Sequence, residues 1–449
     1  MENVLVCLLL LFLLVISGVI SRFTPSLPTP IVQITFGALV ATIFPDFHIG
    51  FNPELFMLLF IPPLLFNDSW RFPKREFLLN TRPIVMLSIG LVFFTVLGLG
   101  YLMHWLIPFL PLPASFVLAA ALSPTDAVAL KSMTNKIQMP RRIRHILQGE
   151  ALLNDASALV SFKFAIAAML TGVFSLGSAT ASLFLISLGG LGIGAILTYL
   201  FVALLGRLKL KSEHETATEN LLLLLLPFTA YLVAEKLGFS GILAAVSAGF
   251  TIDKAGFLDR TMVGMRIEGR FVWGMLEITL NGIIFILLGV YLPNSLNLLA
   301  STNCTIEQYL MIVVFITLAL ISLRALWIYL TLPFEALIAR RLHKPWHRPN
   351  LRIIAAISLG GVRGAIALAA ILSLPEFMPG GMPFPARNLL IIVVVGVVLC
   401  SLLISSIILP LILPGLNAII TRSNNDEEKK QFLLLQKQVS ELLKIECKL

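Results

Sequence analysis

The chain has 449 residues, 58% of them hydrophobic and only 13% charged. A soluble domain averages roughly 45–50% apolar and about 25% charged residues, and its interior cannot hide such an excess, so a soluble enzyme or a nucleic-acid binder is excluded. Lys and Arg outnumber Asp and Glu by 33 to 24, a net charge of +9, which in a polytopic membrane protein reads as basic cytoplasmic loops.

Apolar windows long enough to cross a bilayer predict about thirteen spans, at 3–20, 30–44, 52–68, 83–107, 113–133, 145–170, 181–206, 220–237, 240–252, 270–292, 308–332, 350–373 and 388–413. The first begins with Glu2 and has no basic residue before Arg22, the reverse of a signal peptide, so it reads as an uncleaved anchor. Pro62-Pro63 is expected to bend the third span. The run Gly189, Gly190, Gly192 and Gly194 marks a close-packing face on the seventh.

Basic residues follow the odd-numbered spans. They are Arg71, Lys74, Arg75 and Arg82 after the third, Lys136, Arg141, Arg142 and Arg144 after the fifth, and Arg207, Lys209 and Lys211 after the seventh. Lys254, Arg260, Arg266 and Arg270 follow the ninth, and Arg340, Arg341, Lys344 and Arg348 the eleventh, with Arg387 the main exception. This places the N-terminus outside and the C-terminus in the cytoplasm. Residues 422–449 form a polar tail with Phe432, Leu435, Val439, Leu442 and Leu449 at helical spacing, read as a surface helix. Cys7, Cys304, Cys400 and Cys447 are too scattered for a zinc site or a disulfide framework. His48, His104, His145, His214, His343 and His347 read as ordinary histidines, most of them in or near loops.

Two spans are interrupted. Ser123-Pro124-Thr125-Asp126 breaks the fifth and Gly360-Gly361-Val362-Arg363-Gly364 the twelfth. Seven spans apart, they cross in opposite directions. Matching broken helices in inverted halves point to a transporter's binding site. Spans one to six and eight to thirteen then form the repeats, with span seven as the link.

Asp126, Asp155, Lys163, Glu277, Arg324 and Arg363 fall inside spans, where an ionisable group costs at least about 2.5–3.5 kcal/mol and faces a partner or a wet cavity. Half-helix ends carry partial charges of roughly half a unit. Asp126 is placed to neutralise a positive N-terminal end, and Arg363 a negative C-terminal end in the other repeat. Carbonyls freed by Pro124, such as that of Thr125, become oxygen ligands. Asp155 beside such a break makes a hard-cation site. Burial favours the protonated form of a carboxyl, so one oxygen pair serves a metal ion or a proton but not both. Two other readings stand beside a cation:proton antiporter: an ion channel, disfavoured by the lack of a filter loop, and an intramembrane aspartyl protease.

The segments FIPPLLFNDSW (60–70), LSPTDAVAL (122–130), GEALLNDASALV (149–160), LNGIIFILLGV (280–290) and GGVRGAIALA (360–369) resemble the monovalent cation:proton antiporter-1 family, and within it the bacterial sodium/proton exchangers. The resemblance implies an all-α polytopic membrane protein with the Na+/H+ antiporter fold: two inverted repeats with crossed discontinuous helices. It implies an ion-translocating core at 83–170 and 308–413 that moves elevator-like against dimerisation helices at 3–82 and 181–292. Asp155 matches the aspartate that binds cation or proton, Asn154 its asparagine partner, Thr125 and Asp126 the pair at the crossing, and Arg363 the arginine of the second break. The set implied for the transported sodium is Asp155, Thr125 and Asp126. Glu150, Lys163, Glu277, Asn281, Asn67, Asp68 and Arg363 form the structural or charge-compensating set.

The Asn-Asp pair implies electroneutral exchange of one cation for one proton. The expected partners are Na+, or Li+ or K+, together with H+, the lipid bilayer and a second copy of the chain, with neither cofactor nor nucleic acid. The setting implied is a bacterial inner membrane, in pH and sodium homeostasis.

Three positions depart from the family pattern. Ala151 stands where many members have serine. Asn67 stands where many have an acid, which here is next door at Asp68. Asn281 stands where animal members have a glutamate paired with the arginine, while Glu277 lies one turn earlier. These departures bear on ion selectivity.

Overall fold

A computed structural model describes residues 2–24, 27–44, 53–108, 110–134, 139, 141–171, 176–208, 216–257, 263–300, 305–341, 349–378 and 381–413. The polar tail and much of the basic-loop sequence lie outside these residues. The elements are α1 (Glu2–Phe23), α2 (Thr29–Ile43), α3 (Pro53–Arg71), α4 (Lys74–Leu79), α5 (Thr81–Leu106), α6 (Leu112–Ala121), α7 (Ala127–Thr134), α8 (Arg141–Thr171), α9 (Leu176–Leu208), α10 (Thr216–Lys236), α11 (Gly241–Thr251), α12 (Val263–Ala300), α13 (Ile306–Arg341), α14 (Leu351–Leu359), α15 (Ala365–Leu372) and α16 (Arg387–Leu413). An isolated bridge between Phe377 and Pro383 is the β-pairing found among the described residues.

Eight of these helices are long and apolar enough to cross a bilayer: α1, α5, α8, α9, α10, α12, α13 and α16. The other five expected spans also have helical counterparts, which are short (α2, α11), contain an internal Pro62-Pro63 (α3), or are split in two (α6/α7 and α14/α15). Both splits fall where the sequence places them, at 123–126 and 361–364. Local chemistry sets several ends. Ser240 caps α11 by accepting the Leu243 N–H at 3.3 Å, and Asn350 caps α14 by accepting the Arg352 N–H at 3.4 Å.

One group of helices comprises α1, α2, α3 and α9 to α12, with α2 packed along α12 and α11 between α3 and α9. Gly190 and Gly194 allow the α9–α11 approach, because a Cβ would lie 2.4 Å from the Ser240 carbonyl oxygen and 2.1 Å from that of Ala244. Another group packs α5 against α6 and α13, and α6 against α8. Its interior joins Leu99, Val117, Leu122, Leu159, Ile371 and Val394, all buried. Leu8, Phe12, Trp105, Leu185, Leu225 and Phe334 face outward and are exposed, as expected of a surface that meets lipid.

Candidate functional site

Pro124 disfavours helix at Ser123 and removes an N–H, so α6 ends at Ala121 and α7 restarts at Ala127, after a five-residue gap. The second break meets the first there: the Asp126 N–H donates to the Val362 carbonyl at 2.8 Å. Four half-helix ends thus converge in the protein interior, where unsatisfied backbone groups are costly.

Each end has a side-chain partner. Asp126 Oδ1 accepts the Val128 and Ala129 N–H groups at 2.8 and 2.9 Å, which makes it the N-cap of α7. Its Oδ2 lies against Gly364, the N-cap of α15, where a Cβ would come within 1.9 Å. Arg363 Nη1 donates to the carbonyls of Ser123 and Pro124 at 2.5 and 3.0 Å, beyond the C-terminus of α6. Arg324 Nε donates to the Ile357 carbonyl at 2.9 Å and Ser405 Oγ to that of Leu359 at 2.8 Å, at the C-terminus of α14. Arg324 also forms a bidentate pair with Glu150, with both contacts at 2.5 Å. The pair is buried, with side chains 2% and 0% exposed.

Asn154 ties α8 to the first break. Its Oδ1 accepts the Thr125 N–H at 3.2 Å, and its Nδ2 donates to Thr125 Oγ1 at 2.8 Å and to Glu150 Oε1 at 3.4 Å. The next residue, Asp155, is 6% exposed, and its Oδ1 has no hydrogen-bond partner among the described residues. Asp155 lines a cavity of about 160 Å³ together with Thr125, Asp126, Ala151, Asp68, Glu277 and Asn281. Two of the cavity's other lining residues, Asp68 and Asp126, are acidic, and Glu150 lies five residues earlier on α8. Past Asp155 on α8, Leu159 and Phe162 are buried in the apolar interior.

The mouth of the cavity carries Arg71, Lys131 and Glu277. Glu277 accepts from Arg71 Nη1 at 2.9 Å, Asn67 Nδ2 at 3.0 Å and Lys131 Nζ at 3.4 Å. Asp68 is the member of the Asn67-Asp68 pair that lines the cavity. No three His, Cys, Asp or Glu side chains among the described residues converge into a metal cage.

A family model described as "Sodium/hydrogen exchanger, transmembrane" matches residues 8–415. The chain belongs to the sodium/hydrogen exchanger family. It is 42% identical over 422 residues to YjcE of Escherichia coli K12, named an uncharacterized Na(+)/H(+) exchanger, covering 92% of this chain and 76% of that one. It is 40% identical over 417 residues to a Bacillus subtilis protein named a sodium, potassium, lithium and rubidium/H(+) antiporter, covering 92% of this chain and 62% of the relative's length. The solved sodium proton antiporter MjNhaP1 from Methanocaldococcus jannaschii has the same fold, with a TM-score of 0.69 at 17% identity over 90% of this chain and 97% of that one. The family consists of transporters and not enzymes, which removes the protease reading.

Two of the charge-compensating residues find partners that the sequence left open. Lys163 lies away from the cavity: its side chain is 58% exposed and pairs with Glu235 at 3.1 Å. Its long stem carries the ammonium to a neighbouring helix. Glu277 does not reach Arg363 and is held by Arg71 and Lys131 instead, while Asn281 lines the cavity and donates to the Glu277 carbonyl at 2.9 Å. Lys131 at the mouth, Ser405 at the end of α14 and Ser401, which accepts the Arg363 N–H at 3.2 Å, escaped the sequence reading. For Lys131 a signal existed in its position five residues past Asp126, on the half-helix that starts there.

Proposed function

We propose that the protein exchanges a monovalent cation for a proton by alternating access, with Asp155 holding either one. The observation that carries this is a charge count. At the crossing, Arg324 and Arg363 balance Glu150 and Asp126; at the mouth, Arg71 and Lys131 balance Glu277 and Asp68. Asp155 remains as one buried carboxylate with an unpartnered oxygen. One positive charge neutralises it, and that charge is either a proton or a cation. An empty, charged site faces a large desolvation penalty on crossing, whereas a loaded one is neutral. Coupling follows if only loaded forms cross, at one cation per proton and with no net charge moved.

The Asp155 carboxylate, with the Thr125 carbonyl and Asp126 beside it, supplies oxygen ligands for a hard cation. Sodium is the proposed substrate, with lithium or potassium as the alternatives. The names of the Bacillus relatives support this breadth, although the chain spans 62% and 61% of their lengths. Arg71 and Lys131 mark the mouth's end of the molecule, and by the basic-loop rule this end is cytoplasmic. The conformation then faces inward, with the C-terminus inside a bacterial inner membrane and a role in pH and sodium homeostasis. The helices at 83–170 and 308–413 move as the core against a dimeric scaffold of 3–82 and 181–292.

In everted membrane vesicles, a sodium pulse should dissipate a preformed pH gradient. Asp155→Asn keeps the shape but removes the charge, and it should abolish the response. Full activity in that variant would refute the assignment.

A further inference from the structure

Within α5, residues Met86–Gly90 form a π-helical turn, in which the Leu91 N–H reaches back to the Met86 carbonyl. Such turns open the helical ladder and recur at functional sites. Two side chains from other helices use the carbonyls of this one. Ser157 Oγ on α8 donates to the Ser88 carbonyl at 2.6 Å, and Trp327 Nε1 on α13 donates to that of Met86 at 3.0 Å. Gly90 lets the indole lie against the turn, since a Cβ there would sit 2.4 Å from Trp327 Cζ2. Phe94, one turn further along α5, packs against the indole with ring centroids 5.2 Å apart.

Ser157 follows Asp155 by two residues. At about 100° per residue it lies on the opposite face of α8. Its Oγ is also 3.0 Å from the Asn154 carbonyl oxygen. The Asn154-Asp155 turn is therefore gripped on both sides, by Thr125 at the cavity and by the π-turn behind.

We propose that the π-turn of α5 is the back support of the cation site, with Ser157 and Trp327 as positioning residues that set the rotation of α8 at Asp155. This rests on Asp155 being the exchange site. With the helix free to rotate, Asp155 would still take a proton, which needs one oxygen. It would hold a cation less well, because that needs several oxygens at fixed distances. The effect should therefore fall on cation affinity rather than on the maximal rate.

The test is sodium-dependent proton flux in proteoliposomes of the full chain, for Ser157→Ala, Ser157→Thr, Trp327→Phe and Asp155→Asn, with thermal unfolding of each. Ser157→Ala should raise the apparent sodium KM about two- to tenfold while leaving the saturating rate and the unfolding midpoint near those of the parent. Ser157→Thr keeps the hydroxyl and should restore KM. Trp327→Phe keeps the ring, loses the N–H and should shift KM in the same direction. An unchanged KM in both Ser157→Ala and Trp327→Phe would overturn the inference. So would a KM rise matched by an equal fall in rate and unfolding midpoint that threonine does not rescue. If Ser157→Ala fails to fold, Trp327→Phe carries the same outcomes. Flux retained in Asp155→Asn would instead remove the site assignment, a separate result.

Discussion

Asp155 and Glu150 sit five residues apart on one helix, and both are buried, yet their surroundings differ. Glu150 has a guanidinium fork bound to both oxygens, so its charge is spent within the protein. Asp155 has an unpartnered oxygen and shares its cavity with Asp68 and Asp126, which under the proposed function leaves its charge for a guest. Breaking a buried pair leaves an uncompensated charge and costs about 3–5 kcal/mol, whereas replacing both partners by apolar residues of similar size is often neutral. Arg324→Met should therefore lower the thermal unfolding midpoint sharply in detergent, and adding Glu150→Met should recover much of the loss. If the single variant unfolds like the parent, the pair does not hold α8 to α13. Ala151 belongs to the same residue scale: it lines the cavity without a side-chain oxygen, so under the proposed function a cation there would take its oxygens from carbonyls, Asp126 and water.

At the scale of elements, the crossing is a joint in which four helix ends are closed by Asp126, Arg363, Arg324 and Ser405. Its tightest point is Gly364, where a methyl group would lie 1.9 Å from Asp126 Oδ2. Gly364→Ala should force the two half-helices apart, abolish flux and lower the unfolding midpoint. Gly192→Ala, with nothing within 4 Å of the added carbon, is the neutral comparison. Normal flux from Gly364→Ala would mean that the crossing tolerates movement and that the close contact is not required.

Both breaks are legible in the sequence because Pro124 and the Gly360-Gly361 pair interrupt apolar runs. The spans are legible because lipid demands long apolar stretches. The partners of long charged side chains are not legible. Helical spacing tells which face of its own helix each of Lys163, Glu277 and Arg324 occupies, but not which helix stands opposite. The π-turn is silent for a related reason: Met86–Gly90 reads as ordinary apolar helix, and its irregularity is supported by Ser157 and Trp327, which are remote in sequence.

At the scale of the whole molecule, many outward-facing side chains are large and apolar, and most of the buried charges, Glu150, Asp155, Arg324 and Arg363, gather around the crossing. Asp155 lines the cavity, and Leu159 and Phe162, further along the same helix, are buried in the apolar interior. In the exchange proposed above, one carboxylate is released alternately to either side, with proton and cation as rivals for it. The measurement closest to this claim is proton flux in proteoliposomes as sodium is titrated at several pH values, with and without an imposed membrane potential. The account predicts that lowering the pH on the cation side raises the apparent sodium KM while the saturating rate extrapolates to a common value, and that the potential leaves the rate unchanged. A sodium KM independent of pH, with only the maximal rate falling, would contradict it.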